Sequence, residues 1–434
     1  MAAALHGVAR LLAGGHAAHD TKDVHLIRRA LSAIGGADLR GLIAFSLATT
    51  GIQAIRPTAS YRVLELGGSA TVVGLIAAGY GALSLFAAVP LGRAIDRRGA
   101  SRFLLAGLIL LCAAGIISAI ATEAVVLGVG QVVLGLAHVM AAIAFQTITA
   151  NRRHSNRDRG FARLAVAISI GQLIGPLLGG FVLDAPSMGP LDALPRTVSV
   201  FLLAATLIAI AATTAFRIDD GSSSPRATKP AGDRSSGSSA QPTGGSRPLT
   251  IIRRGGVVPA LGVGMVVATT IDLLISFLPV IGESRGIAPS IVGTLLAVRA
   301  SAGLLSRLSL TALLARFTRR QVLVTILGTA GTALVGIAWS GNPWVLGLSV
   351  AVVGFCLGLG SPMTMAWLSI STPRPDRGTV LAIRMTGNRI MQVSMPVAAG
   401  ALTTLAGPGA IFGILTFVLV PASLLLARSS VEIP

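Results

Sequence analysis

The sequence GRAIDRRGASR, residues 92–102, lies between two long apolar segments. Charged side chains are costly in the hydrocarbon of a bilayer, so this stretch is not expected to lie within one. We therefore predict a short hairpin on one side of a membrane that joins two spanning helices. A plainer interpretation is that the positive charge of the hairpin only fixes the orientation of the two helices.

The composition extends this prediction to the whole chain. The 434 residues are 53% hydrophobic and 12% charged, whereas a soluble globular protein has about 25% charged residues. We therefore predict an all-α polytopic membrane protein, whose partner is the lipid bilayer. The net charge of +19 would elsewhere suggest nucleic acid. Here the basic residues lie between apolar segments, so we expect no nucleic-acid partner and interpret them as a topology signal.

Twelve apolar segments of the chain are long enough to cross a bilayer, which takes roughly 20 residues. They are residues 40–65, 70–93, 101–121, 123–149, 160–183, 196–217, 256–282, 288–316, 320–340, 343–371, 378–406 and 408–428. Two groups of six are separated by residues 218–250, which are rich in Ser, Gly, Pro and Arg and are predicted to be disordered. A flexible tether is the plain interpretation of this segment, and a phosphorylated regulatory loop is the alternative.

The distribution of basic residues predicts the orientation. Of the 35 basic residues, the predicted outer loops hold only Arg62, Arg196 and Arg285. Because basic residues concentrate on the cytosolic side, both termini are predicted to be cytosolic, in a multi-pass protein of the cell (inner) membrane. The predicted organisation is a cytosolic tail at 1–39, a six-helix half at 40–217, a disordered cytosolic linker at 218–255, a second six-helix half at 256–428 and a tail at 429–434.

The two groups of six segments resemble each other in sequence. The triplet Asp158-Arg159-Gly160 recurs as Asp376-Arg377-Gly378. A second matching set pairs Gln172, Pro176 and Gly180 with Gln392, Pro396 and Gly400. Such matches between the halves indicate two parallel six-helix repeats, an arrangement found in secondary transporters.

The opening stretch has a recognisable pattern. Gly92, Asp96, Arg97, Gly99 and Arg102 match G-x-x-x-D-R-x-G-x-R. This pattern resembles the loop between helices 2 and 3 of the major facilitator superfamily, a family of secondary transporters. The resemblance implies a twelve-helix fold of two halves, a conformational role for this loop, and alternating access to a small-molecule substrate. We expect a monomer.

A second pattern lies in the fifth segment. Gly171, Gly175, Pro176, Gly179 and Gly180 match G-x-x-x-G-P-x-x-G-G, which resembles the signature of the family's exporters, proteins that exchange substrate for protons. The alternative is a packing motif, because small residues four apart let helices approach closely.

The fourth segment departs from the exporter pattern. Gln131 stands four residues before Gly135, where an arginine is usual in the exporters. This departure counts against the usual antiport mechanism and favours uptake.

Charges within the predicted spans are candidates for function, since they are costly there. The acid is Asp272, and the arginines are Arg56, Arg299, Arg307, Arg384 and Arg389. We hypothesise that Arg56 and Asp272 pair across the two halves and close the outer gate in an inward-open state. Protonation of Asp272, or substrate binding, would loosen the pair. The alternative is a static interhelical pair.

Further polar residues lie near the predicted midplane. Arg299 and Arg389 could bind an anionic group of the substrate or backbone carbonyls, since arginine suits carboxylate and phosphate; a structural role is the alternative. Asn388 and Gln392 could add hydrogen bonds. His138 is either a protonation site or a packing histidine.

We predict a proton-linked secondary transporter, and efflux is favoured over uptake of an organic anion. A non-transporting membrane sensor is a third interpretation. An enzyme is not expected, because the short loops offer only Asp96, Asp158 and Asp376, each among arginines. We expect no cofactor and no metal site, and the sequence has no phosphate-binding loop of the G-x-x-x-x-G-K-[ST] kind for ATP.

Overall fold

The computed structural model describes residues 36–150, 154–186, 194–216, 256–373 and 376–428. The predicted N-terminal tail and linker, together with residues 429–434, lie almost entirely outside these ranges, so those predictions and the domain boundaries drawn from them remain predictions. Within the described ranges the long regular elements are all α-helices.

Twelve helices make up the described part of the chain, in two groups of six. They are α1 (Gly36–Glu65), α2 (Ala70–Arg98), α3 (Ala100–Ala119), α4 (Ala124–Ala150), α5 (His154–Leu183), α6 (Arg196–Ala215), α7 (Val257–Ser284), α8 (Pro289–Arg316), α9 (Arg319–Trp339), α10 (Pro343–Ile370), α11 (Arg377–Ala406) and α12 (Ala410–Arg428). Ten of these helices are long and apolar enough to cross a membrane. The other two, α1 and α11, contain charged and amide side chains that lie at the junction of the halves.

The hairpin predicted at 92–102 is shorter than expected. Helix α2 continues to Arg98 and α3 begins at Ala100, so Gly99 alone forms the turn. Its φ of 95° is a left-handed conformation that glycine adopts without strain. The predicted spans end at residue 93 and resume at residue 101, so they leave a longer loop than the structure has. The difference arises because charged residues at the end of a long helix can extend beyond the hydrocarbon and stay helical.

The arginines predicted in outer loops have structural roles at helix ends. Arg62 is buried in the last turn of α1, not in a loop, and donates a hydrogen bond to the Ala121 carbonyl after α3. Arg285, at the end of α7, donates to the Ile337 and Ser340 carbonyls at the end of α9, at 2.9 and 2.6 Å. Burial lowers the pKa of Arg285, yet arginine stays charged at neutral pH. Both arginines thus satisfy carbonyls that a neighbouring helix end leaves unpaired.

The six helices of each half pack around one another before the halves meet. Helix α1 lies against α5 and α6, and α4 lies against α2 and α3. In the second half α8 lies against α10, and α9 lies against α10 and α12. The halves contact each other mainly through three helix pairs, α2 with α11, α5 with α8, and α1 with α7, and to a smaller extent through α2 with α7.

These contacts are tight only toward the predicted outer end. A Cβ at Gly81 of α2 would lie 3.1 Å from Gln392 of α11, and a Cβ at Gly400 of α11 would lie 2.9 Å from the Cα of Thr71. In contrast, a Cβ at Gly92, near the predicted cytosolic end of α2, would meet no atom of a described residue within 4 Å. The close contacts between the halves therefore lie from mid-depth to the predicted outer end, and we interpret the predicted cytosolic end as the open one.

Candidate transport site

An ion pair joins the two halves beneath the closed end. The Nη2 of Arg56 on α1 lies 2.9 Å from the Oδ1 of Asp272 on α7, and the side chains are 12% and 21% exposed. The predicted pairing of these two residues is therefore formed. One turn further toward the outer end, the Ser60 hydroxyl donates to the Ser276 carbonyl at 2.8 Å and links the same two helices.

Helix α11 extends the pair into a network. The Nε2 of Gln392 donates to the Oδ2 of Asp272 at 3.0 Å, so both carboxylate oxygens have partners. The Oε1 of Gln392 in turn accepts a hydrogen bond of 2.6 Å from Arg389, one turn away. Arg389 therefore reaches Asp272 through an amide, an arrangement that the sequence prediction did not include.

Two aromatic rings extend the network into the first half. The guanidinium of Arg56 lies over the ring of Tyr80 on α2, 4.4 Å from the centroid, a cation–π arrangement. The Tyr80 hydroxyl is hydrogen-bonded to Nδ1 of His138 on α4. A continuous polar chain therefore runs from α4 through α2, α1 and α7 to α11.

Among the residues that form this chain, Tyr80 was missed from the sequence. An available signal was that tyrosine is rare here, with only two in 434 residues, and that this one lies inside an apolar span. The paired serines on α1 and α7 had no comparable signal, because serine is common and a serine hydroxyl can bond its own helix.

The glycines of the α5 motif face two different helices. A Cβ at Gly175 would lie 2.7 Å from Gln53 of α1, and one at Gly171 would lie 2.5 Å from Thr49, so these glycines permit close packing within one half. Gly179 faces Thr58 of α1 at 3.4 Å.

The other face of the motif lies between the halves. A Cβ at Gly180 would lie 3.1 Å from the Cα of Gly293 on α8, and Gly293 also packs against the backbone of Pro176. The Ser290 amide donates to the Asp184 carboxylate at 2.7 Å at the same junction. Gly171, Gly175 and Gly179 therefore pack within the first half, as the packing interpretation predicts. Pro176 and Gly180 instead contact the second half at the closed end.

Several predicted site residues lie apart from the network. The loop-motif residues Asp96, Arg97 and Arg102 are exposed, and Asp96 has no ion pair among the described residues. The amide oxygen of Asn388 is buried without a partner in the described part of the chain. Arg299 is buried on α8.

A helical membrane bundle of two six-helix halves, joined by charged residues at mid-depth, is the architecture of a secondary transporter. The family model of the Major Facilitator Superfamily matches residues 41–271 and 260–432, and the chain belongs to this family.

Two curated relatives match part of the chain. The tetracycline resistance protein of class H from Pasteurella multocida is 27% identical over 139 residues, which is 32% of this chain and 35% of that protein. The class E protein from Escherichia coli is 28% identical over 174 residues, 38% of this chain and 43% of that protein. The matched stretches thus span less than half of the length of each relative.

Solved structures support the fold over nearly the whole chain. The nucleoside transporter NupG superposes with a TM-score of 0.73 at 13% identity, covering 91% of this chain and 100% of that one. A bacterial homologue of the human lysosomal transporter Spinster, inward-facing and unoccupied, gives 0.67 at 13% identity and covers 90% and 94%. A D-xylose–proton symporter gives 0.67 at 14% identity and covers 90% and 96%.

Proposed function

We propose that this protein is a proton-linked exporter of a small molecule that works by alternating access. The observation that carries the proposal is the Arg56–Asp272 pair, which joins the two halves below a closed outer end. The side chain of Asp272 is 21% exposed, so its carboxylate is accessible to a proton. Protonation would remove the charge that holds Arg56 and would weaken the contact between the halves.

The direction of transport rests on two supports. The α5 motif has the pattern of the family's exporters, and the matched relatives are tetracycline resistance proteins by name. Within the described helices, the closed end is the predicted outer end, so the site would load from the cytosol. Export of a compound taken up from the cytosol fits this geometry.

Uptake of an organic anion is the second candidate function. Five arginines and one acid, Asp272, lie in the interior of the predicted spans, more than five residues from either end. This excess of positive charge at mid-depth favours a substrate with negative charge over a cation. Gln131 is buried beside the network on α4, at the position where the family's exporters usually have an arginine. This difference also favours uptake.

Accumulation in cells separates the two functions. Bacteria that lack their own exporters would express the chain, and intracellular tetracycline and fluorescent organic anions would be measured with and without a protonophore. We expect lower accumulation of at least one compound, a protonophore-sensitive effect, and loss of that effect in Asp272→Asn. Higher accumulation of an anion would instead support uptake, and unchanged accumulation of every compound would contradict both.

A further inference from the structure

Arg299 stands out among the arginines of the spans because it is buried and has no hydrogen-bond partner in the described part of the chain, whereas Arg307, which also has none there, is exposed. Its side chain lies at mid-depth on α8, only 6% of the residue is exposed, and Nε is fully enclosed. By comparison, Arg56 pairs with Asp272, Arg389 bonds Gln392, and Arg384 has two hydroxyl partners at 3.3 and 3.4 Å. An unpaired buried charge is destabilising, so this position calls for a partner that the chain itself does not supply.

A small cavity lies against this arginine. It has a volume of about 20 Å³, enough for a single water-sized group. The walls come from both halves: Ser169 and Gln172 of α5, Ile271 of α7, the Arg299 turn of α8 and two glycines of α10. Asp272, next to Ile271 in sequence, is already engaged by two partners.

The lining favours an anion. Among the described residues, no acidic side chain lines the cavity, whereas Arg299 and Arg307 both do. The Gln172 amide has no hydrogen bond to any described residue, so its N–H groups are available as donors. Arg307 is exposed two turns closer to the predicted cytosolic end, about 12 Å along α8 at 1.5 Å per residue. The two arginines thus form a positively charged path from the open side to the buried cavity.

We propose that this cavity receives a carboxylate oxygen of a small organic anion, with Arg299 as the principal ligand and Gln172 as a second donor from the opposite half, and that the rest of the anion lies on the side of Arg307. This inference rests on the proposed transport function and names the class of substrate. A carboxylate suits the site because its charge-assisted hydrogen bond to a guanidinium is strong, and a single buried arginine offsets its single charge.

The location would make the bound group part of the junction between the halves. Gln172 lies about one turn from Pro176 on α5, and Arg299 lies less than two turns from Gly293 on α8. Pro176 and Gly293 contact each other where the halves close at the predicted outer end. A carboxylate that bridges α5 and α8 would therefore interact with both halves next to the contact that must open.

Binding by the purified full-length protein tests the proposal without a transport assay. Thermal unfolding and calorimetry would be followed with sodium benzoate and with benzamide, a neutral molecule of nearly the same shape. Sodium chloride and sodium phosphate would serve as inorganic anions. The variants are Arg299→Met, Arg299→Lys and, as a matched buried arginine with protein partners, Arg384→Met.

We expect benzoate, but not benzamide, to raise the unfolding temperature of the wild type and of Arg384→Met. Arg299→Met should bind benzoate at least tenfold more weakly, and Arg299→Lys should retain part of the affinity. An unchanged Kd in Arg299→Met, equal shifts with benzamide, or no benzoate binding by the wild type would overturn the proposal. Stabilisation by chloride or phosphate in place of benzoate would overturn the assignment to a carboxylate.

Two features keep the test interpretable. Arg299→Met removes an unpaired buried charge at similar volume, so the ligand-free variant should unfold no earlier than the wild type, and this is measured in the same scan. Glu283→Gln should bind benzoate as the wild type does, because Glu283 is exposed on α7 and does not line the cavity. Failure of proton-linked export would appear in the accumulation assay of Asp272→Asn and failure of the anion site in Arg299→Met, so the two are distinguishable.

Discussion

Removal of the charge at Asp272 should open the predicted outer end. The substitution Asp272→Asn keeps the shape and the bond from Gln392 but leaves Arg56 without its counter-ion. Two unit charges about 4 Å apart interact by about 4 kcal/mol at an effective dielectric constant of 20, and removal of one member of a buried pair costs about 3–5 kcal/mol. Because both side chains are less than a quarter exposed, solvent screens this interaction only in part.

The expected shift in population follows from this energy. About 3 kcal/mol corresponds to a factor of more than 100 in an equilibrium constant, since each 1.4 kcal/mol is about tenfold. A protein closed at the outer end in about 99% of molecules would therefore become about equally open and closed. The double variant Arg56→Gln with Asp272→Asn should lie closer to the wild type, because no unpaired charge remains in the interface.

Distances between spin labels measure this population. Ser69 precedes α2 and Leu405 lies near the end of α11, both exposed at the predicted outer end and on opposite halves. With the native Cys112 and Cys356 replaced by alanine, labels at these two positions should give one short distance in the wild type and a second, longer one in Asp272→Asn.

The matched control is Glu283→Gln, which removes an exposed acid from the same helix. Glu283 has no ion pair with any described residue, so this variant should keep the wild-type distribution. An Asp272→Asn distribution that also equals that of the wild type would refute the reasoning, because the pair would then be static.

Three further predictions concern single side chains. Gly180→Ala should favour the state open at the outer end and lower export, because its Cβ would lie 2.5 Å from the Pro289 carbonyl. Gly262→Ala is the control: its Cβ would meet no atom of a described residue within 4 Å, so the population of the open state and the export rate should stay unchanged. Arg285→Met should lower the free energy of unfolding by about 2–4 kcal/mol, since it leaves α9 carbonyls without a donor. Thermal unfolding in detergent measures this change, and an unfolding temperature equal to that of the wild type would contradict it. Tyr80→Phe keeps the ring under Arg56 but loses the bond to the α4 histidine; export that responds to pH as in the wild type would exclude that bond from proton transfer.

The twelve helices could be predicted because each apolar segment meets the length that a bilayer requires. The structural bounds differ from the predicted ones by only a few residues in most cases. The largest errors are at polar ends, where α2 continues to Arg98 and α5 begins at His154. Hydropathy cannot locate these ends, because a helix can continue into water beyond the last apolar residue.

The site could be predicted only in part. The Arg56–Asp272 pair could be predicted because a single acid lies in the interior of the predicted spans, so few partners were available. The bond of Gln392 to Asp272 depends on the rotation of α11 and on its distance from α7, and neither is encoded in local spacing. The lack of a hydrogen-bond partner for Arg299 among the described residues likewise depends on the tertiary structure, since a sequence does not show which arginines find partners.

Proton movement during transport is the most direct test of the central claim. The purified protein would be reconstituted in vesicles that contain a pH-sensitive dye, and a compound whose export is found in cells would be added with no ATP present. We predict that substrate movement drives proton movement in the opposite direction in the wild type, and that Asp272→Asn loses it while Glu283→Gln retains it. Substrate flux with no proton signal, or an equal proton signal in Asp272→Asn, would contradict the proposal that this carboxylate couples the two halves to a proton.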